Sequence, residues 1–395
     1  MRGDAFFPRV YHFPAISRVI KPQRTNCMEE ILELTKTLIR FQTVQSKPDE
    51  IQRCTSFIEN YLKTHGVLCE CMEHEGVPSI WIMPQNRRVP ILLMSHLDVV
   101  DGPAELFEPS VHDGRVFGRG SIDDKYAVAL SVVLMNRHVA RLQREGLDQN
   151  CAAMGVLITG DEELGGQNGA KKALEKIQAD FGIALDGGSV GQIVVKEKGL
   201  LTLKLIAEGK AAHGSRPWLG KNAIDILIED YHRLKSLFPN PEGDHWHRTM
   251  SFNIVSAGKS FNQVPEIAEA VFDIRYTEND DIEELYKMMR GSVHGDLQII
   301  RKEPIFIGGN SPFVDLLLED SPQSKITFEH GASDARFLSE FGIPGVVWGA
   351  DGEQSAHSRD EHVVISSIQA LYDRLEAFFE RIGGGLHVGG CRNRV

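Results

Sequence analysis

The sequence predicts an α/β domain with a central, mostly parallel sheet, interrupted by a smaller inserted α+β domain. Short apolar runs alternate with amphipathic helices in the first half of the chain, and paired strands replace that pattern further on. The first pattern then returns towards the C-terminus. We therefore predict a discontinuous domain at 28–190 and 305–385, an insert at 191–304, an N-terminal extension at 1–27 and a flexible glycine-rich tail at 386–395.

The first domain is expected to begin with two helices. Apolar side chains from Met28 to Phe41 recur every three or four residues, which is typical of one face of a helix. A second helix is expected at 51–65, before Gly66. Residues 1–27 lack the continuous apolar run of a signal peptide, so we expect a loose extension and regard Met28 as an alternative start.

Three apolar runs of strand length follow, and their continuity indicates strands that are buried on both faces of a sheet. They lie at 90–97, 153–159 and 181–185, with helices expected at 125–142 and 169–177. In the insert we expect strands at 193–195, 200–207, 249–256, 267–276 and 297–300, and helices at 222–238 and 281–289. The chain is then expected to form a helix from 333, a strand at 345–348 and a helix at 364–381.

Composition excludes several classes of protein. Hydrophobic residues make up 42% and charged residues 25% of the chain, as in ordinary globular proteins. No apolar run approaches the ~18 residues of a membrane span. The 43 basic and 55 acidic residues give a net charge of −12 without basic blocks, so neither nucleic acid nor a membrane is an expected partner. The six cysteines lack the spacing of a disulfide framework, which predicts a reducing, cytoplasmic location.

Five polar segments follow apolar strands or open a helix of the first domain, and ligand sites of α/β sheets lie beyond the carboxyl ends of strands. In the first, His96 and Asp98 point to the same side of a strand, so the carboxylate could orient a metal-binding imidazole. Taken alone, each segment could equally be a helix cap, a turn or an exposed loop. Together they supply the ligands and the spare base of a two-metal site. The other four segments contain Asp123–Asp124, Glu162–Glu163, Asp186 and His357.

The segments SHLDVV, GRGSIDDK, TGDEELGG, ALDGG and AHSRDE, in this order and spacing, resemble the acetylornithine deacetylase/succinyl-diaminopimelate desuccinylase family. That family also includes aminoacylases, carboxypeptidase G and several dipeptidases. The resemblance covers about residues 28–382. It implies a zinc-exopeptidase-like catalytic domain, an insert that acts as a lid and dimerisation domain, and a homodimer that acts on a small molecule or short peptide.

The resemblance also implies a role for each of these residues. Two Zn²⁺ ions per subunit, replaceable by Co²⁺ or Mn²⁺, would be bound by side chains of the five segments. The general base Glu162 would take a proton from a bridging water and pass it to the leaving amine. The peptide bond after the bridging aspartate is expected to be cis. The implied ligands are His96 and Asp186 for the first ion, Glu163 and His357 for the second and Asp123 between them, with Asp98 orienting His96.

Further residues are implied by resemblance in the insert and near the C-terminus. In AAHGSRP, His213 matches a histidine that reaches the neighbouring subunit's active site, where it would stabilise the oxyanion. Asn262 and Arg275 fall where the family binds the substrate carboxylate, which suits the planar guanidinium. The loop residues Gly331, Ala332 and Ser333 would line the substrate pocket, although desuccinylases tend to have Gly-Gly-Thr-Ser-Asp at this loop.

The predicted function is a metal-dependent amidohydrolase. The sequence does not separate a deacylase or desuccinylase of N-acyl amino acids from a dipeptidase or carboxypeptidase. Two alternatives stay open. A carbamoyl-amino-acid or allantoate amidohydrolase would be expected to differ around TGDEE, and a non-catalytic metal-binding or peptide-binding scaffold would be expected to lack the base or a ligand.

Overall fold

The computed structural model describes residues 27–238, 243 and 245–386. The expected extension at 1–27 and tail at 386–395 therefore fall outside the described residues, apart from one residue of each. In the described part of the chain the α-helices are α1 (Cys27–Ile39), α2 (Pro48–Thr64), α3 (Lys125–Arg144), α4 (Ala170–Leu174), α5 (Ala223–Lys235), α6 (Ile282–Ser292), α7 (Pro312–Asp320), α8 (Ala335–Glu340) and α9 (Ile365–Leu386).

The strands of the large sheet and of the insert are numbered together along the chain. They are β1 (Glu70–His74), β2 (Val77–Ile82), β3 (Arg88–His96), β4 (Ser110–His112), β5 (Arg115–Phe117), β6 (Met154–Thr159), β7 (Gln178–Ala184), β8 (Gln192–Glu197), β9 (Gly199–Glu208), β10 (Ala212–His213), β11 (Thr249–Ala257), β12 (Gln263–Val264), β13 (Ile267–Tyr276), β14 (Asp296–Glu303), β15 (Phe306–Ile307), β16 (Lys325–Glu329), β17 (Gly345–Val347) and β18 (His362–Val364).

A large sheet forms the centre of the molecule, with the strand order β1-β2-β6-β3-β7-β17-β8-β15 and β16 beside β8. Its middle strands β6, β3, β7 and β17 are parallel, while β1, β2 and β15 pair antiparallel with their neighbours. The predicted fold class is confirmed. The sheet is parallel at its centre and mixed as a whole, because antiparallel strands extend both sides.

Helices cover both faces of this sheet, which explains why its middle strands are continuously apolar. On β3, Ile91 and Leu93 face a core that includes α1, α3 and α9. Leu92 and Met94 point the other way, towards α4 and α8. All four side chains are buried, as expected for a strand that has helices on both faces.

The insert has its own antiparallel sheet, of order β11-β13-β9-β14, and its own core. On β9 the buried residues Leu201, Leu203 and Leu205 alternate with exposed or half-buried ones and pack with residues of α5 and α6. Strand β8 falls inside the range predicted for the insert, yet it pairs with β15, β16 and β17 of the large sheet. The strand content of the insert thus begins at β9.

Several elements differ from the expectations. Strands β4 and β5, which precede Gly120 and form a small sheet with β18, were not predicted. Helix α7 and strand β16 were not predicted either. Among the described residues, no helix combines the length and apolar character that crossing a membrane requires.

Candidate metal centre

The polar edge of the large sheet gathers side chains from segments that are far apart in sequence. Strand β3 ends at His96, and β7 ends at Ala184, two residues before Asp186. After β6 the chain forms a short 3₁₀ turn that contains Glu162 and Glu163. Parallel strands end at the same edge of a sheet, so these side chains meet there.

The first group of candidate ligands surrounds His96, which is 1% exposed. Its Nε2 atom lies 2.9 Å from Asp123 Oδ1 and 3.7 Å from Asp186 Oδ2. On the other side of the ring, Nδ1 is 3.0 Å from the carbonyl oxygen of Asp98 and 3.4 Å from its carboxylate. A proton on Nδ1, donated to Asp98, leaves Nε2 free to bind a metal.

The second group surrounds His357, whose backbone has a φ of 63° in the left-handed region. Its Nε2 atom lies 2.9 Å from Asp123 Oδ2 and 3.2 Å from Glu163 Oε1. Asp123 therefore belongs to both groups, with one carboxylate oxygen in each. In both groups the candidate ligand atoms lie within 4.8 Å of one another.

Asp98 connects the first segment to the 3₁₀ turn. Its two carboxylate oxygens accept the backbone N–H groups of Glu162 and Glu163, each at 3.1 Å. Asp124, which follows Asp123 through a cis peptide bond as predicted, accepts the backbone N–H of His96 at 3.3 Å. These contacts hold the ligand-bearing segments to one another.

The pKa values show an excess of negative charge at the site. Burial alone would lower the pKa of His96, but its carboxylate neighbours raise it well above the usual range. Hydrogen bonds with Asp123 and Glu163 raise the pKa of His357 to about 10. Burial would raise the pKa of Asp123, but hydrogen bonds from both histidines hold it below the usual range. Two imidazoles and three carboxylates are a donor set that fits zinc, cobalt or manganese.

Of the two glutamates in the 3₁₀ turn, Glu162 belongs to neither ligand group. Burial raises the pKa of its side chain well above the usual range, and the nearby negative charges of Asp186 and Asp334 add to this effect. Arg336 lies on its other side, with a guanidinium nitrogen 3.5 Å from Glu162 Oε1. A buried carboxylate beside, but outside, a metal cluster is in place to accept a proton.

A buried ion pair that was not predicted from the sequence lies beside His357. Arg119 pairs with Glu361, and their side chains are 4% and 1% exposed. Arg119 also donates to the carbonyl oxygen of His357 at 3.3 Å, and Glu361 accepts the N–H of Gly120 at 2.7 Å. Both residues lie inside recognised segments, but nothing in the sequence distinguishes a buried pair from two surface charges.

The candidate residues of the insert belong to neither ligand group among the described residues. The exposed side chain of His213 contacts Ser215 Oγ at 2.8 Å, and Gly214 donates to the backbone of Asn262 at 2.6 Å. Arg275 pairs with Asp273 at 2.8 Å. Among the described residues, no hydrogen bond or ion pair joins His213, Asn262 or Arg275 to the metal cluster.

The residues of the loop before α8 differ in their exposure to solvent. Gly331 is exposed and Ala332 is half-buried, so both are accessible. Ser333 is buried, and its N–H and hydroxyl both donate to Glu197, at 3.1 and 2.9 Å. In this structure the hydroxyl of Ser333 is thus engaged with the protein, while Gly331 and Ala332 stay at least partly exposed.

Comparison with known proteins agrees with this geometry. Residues 92–381 match the model of peptidase family M20/M25/M40. Succinyl-diaminopimelate desuccinylase of Halorhodospira halophila is 27% identical over 373 residues, covering 87% of this chain and 96% of the relative. The enzyme of the same name from Parvibaculum lavamentivorans is 28% identical over 387 residues, covering 87% of this chain and 93% of the relative.

Solved structures show the same fold. An M20 family metallo-carboxypeptidase from Sulfolobus solfataricus superposes with a TM-score of 0.73 at 18% identity, covering 90% of this chain and 99% of that one. A tripeptidase from Staphylococcus aureus has a TM-score of 0.72 at 20% identity, with the same coverage of both chains. With the family model spanning most of its length, the chain belongs to peptidase family M20/M25/M40 and is a metal-dependent hydrolase of amide bonds.

Proposed function

We propose that the protein is a dinuclear metallohydrolase that cleaves the amide bond of N-acyl amino acids or short peptides. The position of Asp123 is the observation that carries this proposal. Its two carboxylate oxygens lie 2.9 Å from the imidazoles of His96 and His357, one from each. A carboxylate shared in this way is what a pair of metal ions requires as a bridge.

The roles of the side chains follow from this arrangement. His96 and Asp186 would hold one ion, and Glu163 and His357 the other, with zinc as the expected metal. Bound ions of this kind polarise a carbonyl and lower the pKa of water. Glu162 accepts a proton from the attacking water and returns it to the leaving nitrogen.

For the substrate we favour an N-acyl amino acid, with N-succinyl compounds first. The support is that several relatives named succinyl-diaminopimelate desuccinylase match over most of this chain. This chain has Ala332 where desuccinylases tend to have threonine, and His330 where they tend to have glycine. Because a threonine hydroxyl is absent there, we expect the amino-acid part of the substrate to differ from diaminopimelate.

A substrate panel with zinc-loaded protein tests this function. It contains N-succinyl, N-acetyl and N-formyl amino acids and dipeptides with free or blocked amino termini. Cleavage of N-acyl compounds that a chelator abolishes and zinc restores is the expected result. A preference for dipeptides with a free amino terminus would instead identify the protein as a dipeptidase. Release of ammonia from ureido substrates would support the carbamoyl or allantoate alternative instead.

We further propose a homodimer that forms through the insert. Strand β11 is an edge of the insert sheet among the described residues, and its side chains from Ser251 to Ala257 are all exposed. Ile254 and Val255 are 60% and 62% exposed. Apolar side chains on an unpaired edge favour pairing with a second chain. In such a dimer, the exposed His213 of one subunit could reach the active site of the other and stabilise the oxyanion there.

Complementation of two inactive variants tests the dimer and His213 together. In a mixed dimer of Glu162→Gln and His213→Ala, one of the two sites combines an intact base with an intact His213 from the partner. Re-associated equimolar mixtures should then recover about a quarter of wild-type activity, since half of the dimers are mixed. Each variant alone is the control. No recovery from a confirmed mixed dimer would exclude action of His213 across the interface. The cytoplasmic location stays a prediction.

A further inference from the structure

Arg336 is a buried cation at the junction between the metal centre and the insert. It lies in the first turn of α8, and its side chain is 2% exposed. One of its terminal nitrogens donates to the carbonyl oxygen of Ser333, which fixes the side chain to its own loop. A guanidinium this deeply buried requires compensating carboxylates.

Three carboxylates surround that guanidinium, each opposite a different nitrogen atom. Glu162 Oε1 lies 3.5 Å from one terminal nitrogen, Asp334 Oδ1 3.5 Å from the other, and Glu303 Oε2 3.4 Å from Nε. The planar guanidinium therefore sets the relative positions of three buried acids. Without it, Glu162 would face Asp334 and Asp186 with no cation at this position, and like charges would push its carboxylate away.

Glu303 adds a connection to the insert, because it is the last residue of β14. It accepts from Arg301 of the same strand at 3.0 Å and from Gln167 Nε2 of the catalytic domain at 3.0 Å. Gln167 lies only five residues after Glu162. The end of an insert strand thus touches both Arg336 and the segment that carries the base.

We propose that Arg336 is a positioning residue that holds the carboxylate of Glu162 towards the metal centre and ties this position to the insert through Glu303. The inference rests on the proposed role of Glu162 as the base. Arg336 acts through Glu162 and contributes no proton itself. A misplacement of a reacting group by about 1 Å can cost about 100-fold in rate, which sets the size of the expected effect.

The test compares Arg336→Met and Arg336→Lys with wild type on the best substrate of the panel. Arg336→Met should lower kcat by about 100-fold and leave KM within about threefold. Arg336→Lys should recover part of that loss, because it retains the charge but not the planar fork. Lys171→Met is the matched control, since Lys171 anchors the same helix through Glu340 at 2.8 Å without contacting Glu162. Its kcat should stay within about twofold of wild type.

A double-variant cycle separates positioning from general support. In a Glu162→Gln background, Arg336→Met should cost less than about threefold, because the group on which it acts is already gone. An undiminished loss in that background, or an unchanged kcat in the wild-type background, would overturn the inference. Metal content should stay at the wild-type value in every variant. If Arg336→Met does not fold, Glu303→Gln serves instead and should also lower kcat with KM preserved.

A crystal structure distinguishes failure of this inference from failure of the proposed function. If the wild type cleaves no amide on the panel, the proposed function fails, and no kcat can be compared between the Arg336 variants. Structures of metal-loaded wild type and Arg336→Lys then decide. A Glu162 carboxylate displaced by about 1 Å or more in the variant supports positioning, and an unmoved carboxylate overturns it.

Discussion

Replacing Arg119 by methionine should destabilise the metal-free protein and weaken binding at one of the two proposed metal sites. The substitution leaves the carboxylate of Glu361 buried without its cation, and removing one partner of a buried pair typically costs about 3–5 kcal/mol. Glu361 keeps the hydrogen bond from Gly120, which favours the lower end of that range. The carbonyl of His357 also loses its donor, so the loop that carries this ligand is less firmly held.

Two measurements check this expectation. Urea unfolding of the metal-free variant should show a free energy of unfolding lower by about 3 kcal/mol. Competition with a chelator should show the Kd of one site raised by about tenfold and that of the other nearly unchanged. The double variant Arg119→Met/Glu361→Gln is the control, because the neutral amide still accepts from Gly120 and should recover at least half of the lost stability. A double variant as unstable as the single one, with both affinities unchanged, would refute the reasoning.

The same variant has a predictable pH dependence. Burial raises the pKa of Glu361 to about 7 although Arg119 lowers it, so without Arg119 the folded-state value rises further. This exceeds the value of about 4.3 expected in the unfolded chain, and the folded state therefore holds the extra proton between these values. The free energy of unfolding then falls as pH rises through this window. Arg119→Met should be least destabilising near pH 5 and most near pH 8, and an equal loss at both would contradict a buried charge as the cause.

Three further predictions concern catalysis, metal binding and assembly. Glu162→Gln should lower kcat by about 1,000-fold while two metal ions per subunit remain bound, as checked by kinetics and metal analysis; a smaller loss than tenfold would remove it as the base. Asp98→Ala should raise the metal Kd by about 10–100-fold in chelator competition, because His96 and the acidic turn lose a shared acceptor, and unchanged affinity would contradict this. Ile254→Glu should convert the proposed dimer to a monomer in light scattering; a dimer that persists would place the interface elsewhere.

The grouping of His96, Asp186 and Glu163 could be predicted because their positions follow from strand ends. His96 and Asp98 are two residues apart on a strand, so alternation places both side chains on one side before any tertiary structure is known. Asp186 and Glu163 each come just after another apolar run. His357 is different, since its loop follows the short strand β17, and only the order and spacing of the segments indicated its role.

The supporting residues could not be predicted, because their importance depends on burial. Arg336 and Arg119 look like ordinary surface arginines in sequence, and only the tertiary structure shows that both are buried. The position of β8 shows the same limit. Its composition suits either sheet, and hydrogen bonds to β16 and β17, more than 120 residues later in the chain, decide where it belongs.

The two connections between the sheets are very short. One residue, Lys198, separates β8 from β9, and two residues separate β14 from β15. Linkers this short leave the chain little conformational freedom between the two sheets. Any rigid rotation of the insert must therefore pivot about these two points. Glu197 and Glu303 stand at those pivots. Glu303 lies 3.4 Å from Arg336, and Glu197 accepts from Ser333, whose carbonyl oxygen accepts from Arg336. A hinge motion would change the surroundings of that guanidinium first, so a spectroscopic probe near α8 would report insert movement without a label on the insert itself.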